Sequence, residues 1–116
     1  MKTIIKGEIL IPDSIAMPDC TIYVKLLDTS YADAPAVVIN ELRISYTNKK
    51  YKHQVSFGLP VTAKLNPQNQ YNLAVHADLD SDGAISVKDL IQNRSYSVNP
   101  SENLHDIFKI QLVEVN

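Results

Sequence analysis

"YNLAVHADLDSDGAISVKD" spans residues 71–89, and its two halves follow different patterns. In the first half Tyr71, Leu73, Val75 and Ala77 alternate with Asn72, Ala74 and His76. Apolar residues at every second position share one face of an extended chain, so this half predicts a half-buried β-strand. The second half puts four aspartates and a glycine into the twelve residues 78–89. A strand that runs straight into an acidic loop leaves no room for the paired mobile helices of a calcium sensor.

The same alternation recurs along the chain. In "TIIKGEILI" (3–11) Ile5, Ile9 and Ile11 oppose Lys6 and Glu8; in "TIYVKLLD" (21–28) Ile22, Val24 and Leu26 oppose Thr21, Tyr23 and Lys25. "YKHQVSFGL" (51–59) sets Tyr51, His53, Val55, Phe57 and Leu59 against Lys52, Gln54, Ser56 and Gly58. "IFKIQLVEV" (107–115) points Phe108, Ile110 and Leu112 one way, while "AVVINELRI" (36–44) and "RSYSV" (94–98) are two further candidates. That makes about seven strands. Pro12, Pro18, Pro35, Pro60, Pro67 and Pro100 punctuate them, and "TNKK" (47–50) reads as a tight turn. The best helical candidate, "SYADAPAVVINEL" (30–42), contains Pro35 and the β-branched run Val37-Val38-Ile39, which favour a loop entering a strand. The pattern predicts one all-β domain over residues 1–116, a single antiparallel β-sandwich with a transthyretin- or immunoglobulin-like layout.

Composition narrows the function classes. A chain of 116 residues with 45% hydrophobic and 21% charged residues can bury a core of its own. A net charge of −2, with only Lys49, Lys50 and Lys52 clustered, argues against a nucleic-acid partner. No apolar run approaches the roughly 20 residues that span a bilayer. "MKTIIKGEIL" has no apolar export core, so the expectation is cytoplasmic, or a periplasmic or outer-membrane lipoprotein if the N-terminus has been trimmed. Cys20 has no second cysteine to pair with and reads as a small hydrophobe at the head of a strand.

The acidic loop carries the clearest chemistry. Asp78, Asp80 and Asp82 hold positions 1, 3 and 5, Gly83 position 6, and Asp89 position 12. Ala84 at 7 offers a backbone carbonyl and Ser86 at 9 a hydroxyl or a water contact. This is the spacing of a calcium loop, in which alternate side chains converge as the chain curls. Gly83 shapes the sharp reversal, and apolar Ile85 at 8 is expected to pin the loop onto the core. With nine Asp and three Gly, the first six positions would arise by chance in about one such chain in a thousand. The other reading is an Asp-Gly hairpin with its carboxylates in water, and that one must tolerate four like charges with only Lys88 beside them. Closing on Asp rather than Glu, the loop is similar to the dockerin type; "DLIQN" (89–93) leaves room for a short turn after it.

Other constellations are sparse. His53, His76 and His105 match no zinc spacing, and His76 is expected on the outer face as an exposed strand residue. Asp28 and Asp33 read as turn-capping residues. No nucleophile-elbow, P-loop or zincin motif occurs, so no catalytic residue is assigned.

Three stretches resemble a bacterial family. "LLDTSYADAPAVVINELRI" (26–44) matches its Leu-x-Asp strand end, Ala-Asp-Ala-Pro loop and Val-Ile strand. "VSFGLPVTAKLNPQNQYNLAVHADLDSDG" (55–83) resembles its Phe-x-Leu strand, proline-containing connection and following strand. "RSYSV" (94–98) is similar to its Ser-Tyr-Pro-Val, with Ser97 where proline is usual. The family is the YbaY-like and YscW-like group of lipoproteins and type III secretion pilotin-like chaperones. The resemblance, over about residues 4–98, implies a small transthyretin-like sandwich that is not an enzyme. It implies a protein partner from the secretion apparatus or envelope, since pilotin members help an outer-membrane secretin reach its place. It assigns no catalytic residue and no partner-binding residue.

The expected function is therefore a non-enzymatic binding or chaperone-like module whose loop, braced by calcium, reinforces one rim of the sandwich. The alternative is a structural or assembly subunit with a metal-free solvated turn. A hydrolase on a transthyretin-like scaffold would need clustered His and Arg, and only Arg43 and Arg94 are present.

Overall fold

The computed structural model describes residues 3–115 except Ala32, Lys52 and Ser81. Ala32 of the Ala-Asp-Ala-Pro segment and Lys52 of the fourth strand stretch thus lie outside the described residues, as do Met1, Lys2 and Asn116. Eight strands follow in chain order: β1 (Thr3–Leu10), β2 (Cys20–Asp28), β3 (Val37–Tyr46), β4 (Gln54–Val61), β5 (Tyr71–Asp78), β6 (Leu90–Gln92), β7 (Tyr96–Val98) and β8 (Ile107–Glu114). They form one path, β3-β2-β5-β6-β8-β1-β4, with β7 also paired to β5 beyond β6. The sheet curls until its two ends approach, and the Asn40 side-chain amide on β3 donates to the Pro60 carbonyl on β4 across the seam. This nearly closed, barrel-like sheet is the single all-β core that the alternation predicts.

The alternating faces account for the core. Ile5, Ile9, Ile22, Val24, Leu26, Val55, Leu59, Leu73, Val75, Ala77, Ile110 and Leu112 are all at most 1% exposed. Every one is the inward member of an alternating pair, which is why the strands form where they do. One pairing departs from an all-antiparallel layout. β1 runs parallel to β8, with Gly7 opposite Phe108, and antiparallel to β4, with Gly7 opposite Phe57. A Cβ at Gly7 would lie 2.5 Å from two Phe57 ring atoms and 2.9 Å from the Phe108 carbonyl oxygen. The ring can turn but the carbonyl cannot, so Gly7→Ala is expected to cost about 2 kcal/mol through overpacking. Thermal melting reads this as a fall of roughly 8 °C.

Three local expectations change. "TNKK" is not a tight turn but opens a one-turn helix, α1 (Asn48–Tyr51), closed by Thr47 accepting from the Lys50 and Tyr51 amides. Tyr51 therefore stacks on Tyr46 instead of continuing a strand, and β4 begins at Gln54 with His53 exposed before it. The stretch after Asp89 is strand β6, because Ile91 pairs with His76 on one side and Val113 on the other. Among the described residues no helix is long and apolar enough to cross a membrane.

Candidate metal centre

The acidic loop leaves the end of β5 and returns through β6, and this setting decides where its carboxylates go. Asp78 closes β5 and Asp89 sits immediately before β6; the two are 2% and 1% exposed. Asp80 and Asp82, on the turn between, are exposed. One carboxylate oxygen from each of Asp78, Asp80, Asp82 and Asp89 lies within 4.8 Å of the others. Two oxygens bound to one calcium ion at about 2.4 Å can be no further apart than that, so the spacing fits a shared hard cation.

The loop is wound around these side chains. Gly83, at φ +77°, donates its N–H to Asp78 Oδ2 at 2.8 Å. The Ala84 amide donates to Asp82 Oδ1 at 2.9 Å, and the Ser86 hydroxyl to Asp82 Oδ2 at 2.7 Å. Asp89 accepts from the Leu79 amide at 3.0 Å, the Ser86 amide at 3.1 Å and the His76 ring at 2.8 Å. Lys88 takes a left-handed φ of 77°, fastened by its N–H on the Val115 carbonyl, and this bend turns Asp89 inward. One group is left over. Asp78 Oδ1 is buried without a hydrogen-bond partner, an arrangement that costs stability unless a cation or water meets it.

Charge is uneven across the cluster. Burial pushes the Asp89 carboxyl up, but the bonds from His76, Leu79 and Ser86 outweigh it and hold it below the ordinary carboxylate value. Bonds from the Ser86 hydroxyl and the Ala84 amide likewise lower Asp82. Asp80 is pushed up, first by desolvation and then by its contacts with Asp78 and Asp82. Cys20, half-buried at the head of β2, is raised to about 11 by burial and then by the negative charge of Asp78, Asp19 and Asp89. So little thiolate forms at pH 8 that iodoacetamide is expected to alkylate Cys20 roughly 10²-fold more slowly than a free thiol. Mass spectrometry against a cysteine peptide measures this.

Two residues sit differently from the sequence expectation. Ile85 does not pin the loop onto the core; it is 61% exposed and reaches over the outer face of the sheet. The loop is held by carboxylate-to-amide bonds, so it needs no apolar anchor. His76 is not a free surface residue, because its side chain is only 14% exposed against Asp89 and stacks on Tyr23 at 5.9 Å. Its position two residues before Asp78 is plain in the sequence, but its meeting with Asp89 requires the β5–β6 pairing. Asp28 caps a turn as expected, accepting from the Ser30 amide at 3.0 Å.

The model of the type III secretion system lipoprotein chaperone family (YscW) matches residues 1–103. The chain belongs to this family. A solved structure described as an alternative pilotin from the type II secretion system of Vibrio cholerae is similar to it, at 26% identity and a TM-score of 0.79. That match covers 100% of this chain and 99% of the other. No curated protein matches the chain. Family membership thus rests on most of the chain, and the likeness of fold on all of it.

Proposed function

We propose that this chain is a non-enzymatic, pilotin-type chaperone of the cell envelope that holds a protein component of a secretion system, an outer-membrane secretin by family resemblance. The observation that carries the reading is the agreement of the family match over residues 1–103 with the full-length structural likeness to a pilotin. One is described as a lipoprotein chaperone and the other as a pilotin, each of a secretion system. A lipoprotein chaperone family also favours the envelope over the cytoplasmic default. The test is deletion in the native host. Secretin multimers are expected to be lost from the outer-membrane fraction and restored by the natural chain; unaltered multimers overturn the reading.

Within that role the acidic loop is a calcium-type site and a brace on one rim of the barrel. Asp78, Asp80, Asp82 and Asp89 are its carboxylate ligands, with the Ala84 carbonyl and Ser86 completing the shell. The support is the convergence of four carboxylates and the partnerless Asp78 oxygen. An all-oxygen donor set suits a hard divalent cation. At 100 times its dissociation constant, a cation bound only by the folded chain adds about 2.7 kcal/mol. For a domain of this size that is a rise in melting temperature of roughly 10 °C over the chelated protein. An identical melt in millimolar calcium and in chelator overturns the brace.

A further inference from the structure

The outer face of the sheet carries a groove of about 380 Å³ beside the acidic loop. Its floor is built from outward positions of β2, β5 and β6, among them Leu27, Ala74 and Ile91. Val38 of β3 and Ile85 of the loop also line it, and both are large apolar side chains left 49% and 61% exposed. Two large apolar residues thus face water across a mostly apolar floor that Lys25, His76 and Gln92 interrupt. Lys25 and Arg43 stand at this face and share Glu41, at 3.7 Å and 2.7 Å, so the trio keeps one net positive charge.

The loop and the groove are mechanically joined through Ile85. The Ala84 amide before it hangs on Asp82, and the Ser86 amide after it hangs on Asp89. The carboxylates that would meet a cation are therefore the same ones that place this side chain. Without a cation these four carboxylates, with oxygens within 4.8 Å of one another, repel each other and work against the bonds that hold the loop, and their field opposes any acidic group approaching Lys25 and Arg43. A divalent cation offsets half of that negative charge and bridges the oxygens, so both obstacles shrink.

We propose that loop and groove form one coupled site. A hard divalent cation sets Ile85 as a wall, and the groove then takes an apolar segment of a partner protein bearing an acidic residue for Lys25 and Arg43. This rests on the reading of the loop as a cation site and adds its regulation and the chemistry of its partner. The charge left on the Lys25–Glu41–Arg43 trio selects the acidic residue, and the apolar floor selects the rest.

The probe is 1-anilinonaphthalene-8-sulfonate, an apolar anion, titrated by fluorescence in calcium and in chelator, with calcium binding followed by calorimetry. Calcium is expected to tighten dye binding about tenfold, and the dye to tighten calcium binding by the same factor, since coupling is reciprocal. Ile85→Ser should lose the calcium-dependent increment, and Val38→Ser should weaken the dye in both conditions. A leucine-rich peptide carrying aspartate should displace the dye better than its lysine counterpart. Calcium binding without any change in dye affinity overturns the coupling and leaves the brace standing; no calcium binding overturns both. Equal displacement by the two peptides, or calcium-dependent self-association in sedimentation that gives the groove to a second copy, also overturns the proposal.

Discussion

Asp89→Ala is expected to cost about 3 kcal/mol at neutral pH, a fall in melting temperature of roughly 12 °C. The residue is 1% exposed and accepts from three donors: the Leu79 amide, the Ser86 amide and the His76 ring. Truncation strands all three beside a cavity, and each buried unpartnered donor costs about 1–3 kcal/mol before water enters. Asp89→Asn keeps the shape and one carbonyl oxygen, so about half the loss is expected. The effect has a pH signature of fixed sign. The folded carboxyl lies below its ordinary value, so protons bind the unfolded chain more readily. Its stabilising contribution is whole above about pH 4 and disappears as pH falls through the depressed folded value. Melting the natural chain and Asp89→Ala from pH 7 to pH 3 should show the two curves converging. Parallel curves would mean that Asp89 stabilises through shape alone.

The contrast between Asp89 and His76 shows what a sequence can carry. Strand faces are local information: alternation at Ile22, Val24 and Leu26 or at Leu73, Val75 and Ala77 follows from the pleat, and all six are buried as expected. Loop spacing is local too, which is why the positions of the four aspartates along the chain are enough to group them. Anything set by pairing between distant strands is not legible in this way. The parallel contact of β1 with β8 joins the two ends of the chain, and no turn signal announces it. β6 is three residues long and has no alternation of its own; only its neighbours β5 and β8 make it a strand. His76 meets Asp89 because of that pairing, and Ile85 swings outward because carboxylates, not apolar contacts, fasten the loop.

Those carboxylates divide into two kinds, and the difference bears on the proposed cation site. Asp89 is satisfied by the protein itself, so it stabilises the rim with or without a cation. Asp78 is equally buried, yet its Oδ1 lacks a partner and its oxygens face three other carboxylates. On the proposed reading of the loop, the rim is firmer in calcium than without it, while the alternating core of the barrel does not depend on the ion. On that reading, the proposed docking face on β2, β3 and β5, which borders the rim, inherits the dependence.

Asp78→Asn should accordingly change the sign of its effect with conditions. In chelator the substitution removes one of four crowded like charges and keeps an oxygen for the Gly83 amide, which the natural carboxylate accepts at 2.8 Å. The variant is expected to be more stable than the natural chain there by about 1 kcal/mol, or roughly 4 °C. In calcium at 100 times the dissociation constant the natural chain gains about 2.7 kcal/mol while the variant gains little. The order then reverses, with the variant melting roughly 7 °C lower. Both melts use one buffer at pH 7, and the crossing is the diagnostic, because a lost hydrogen bond or a packing defect would lower stability in both. A variant that melts lower in chelator as well would show that the buried Asp78 charge is held by the protein and not by a cation.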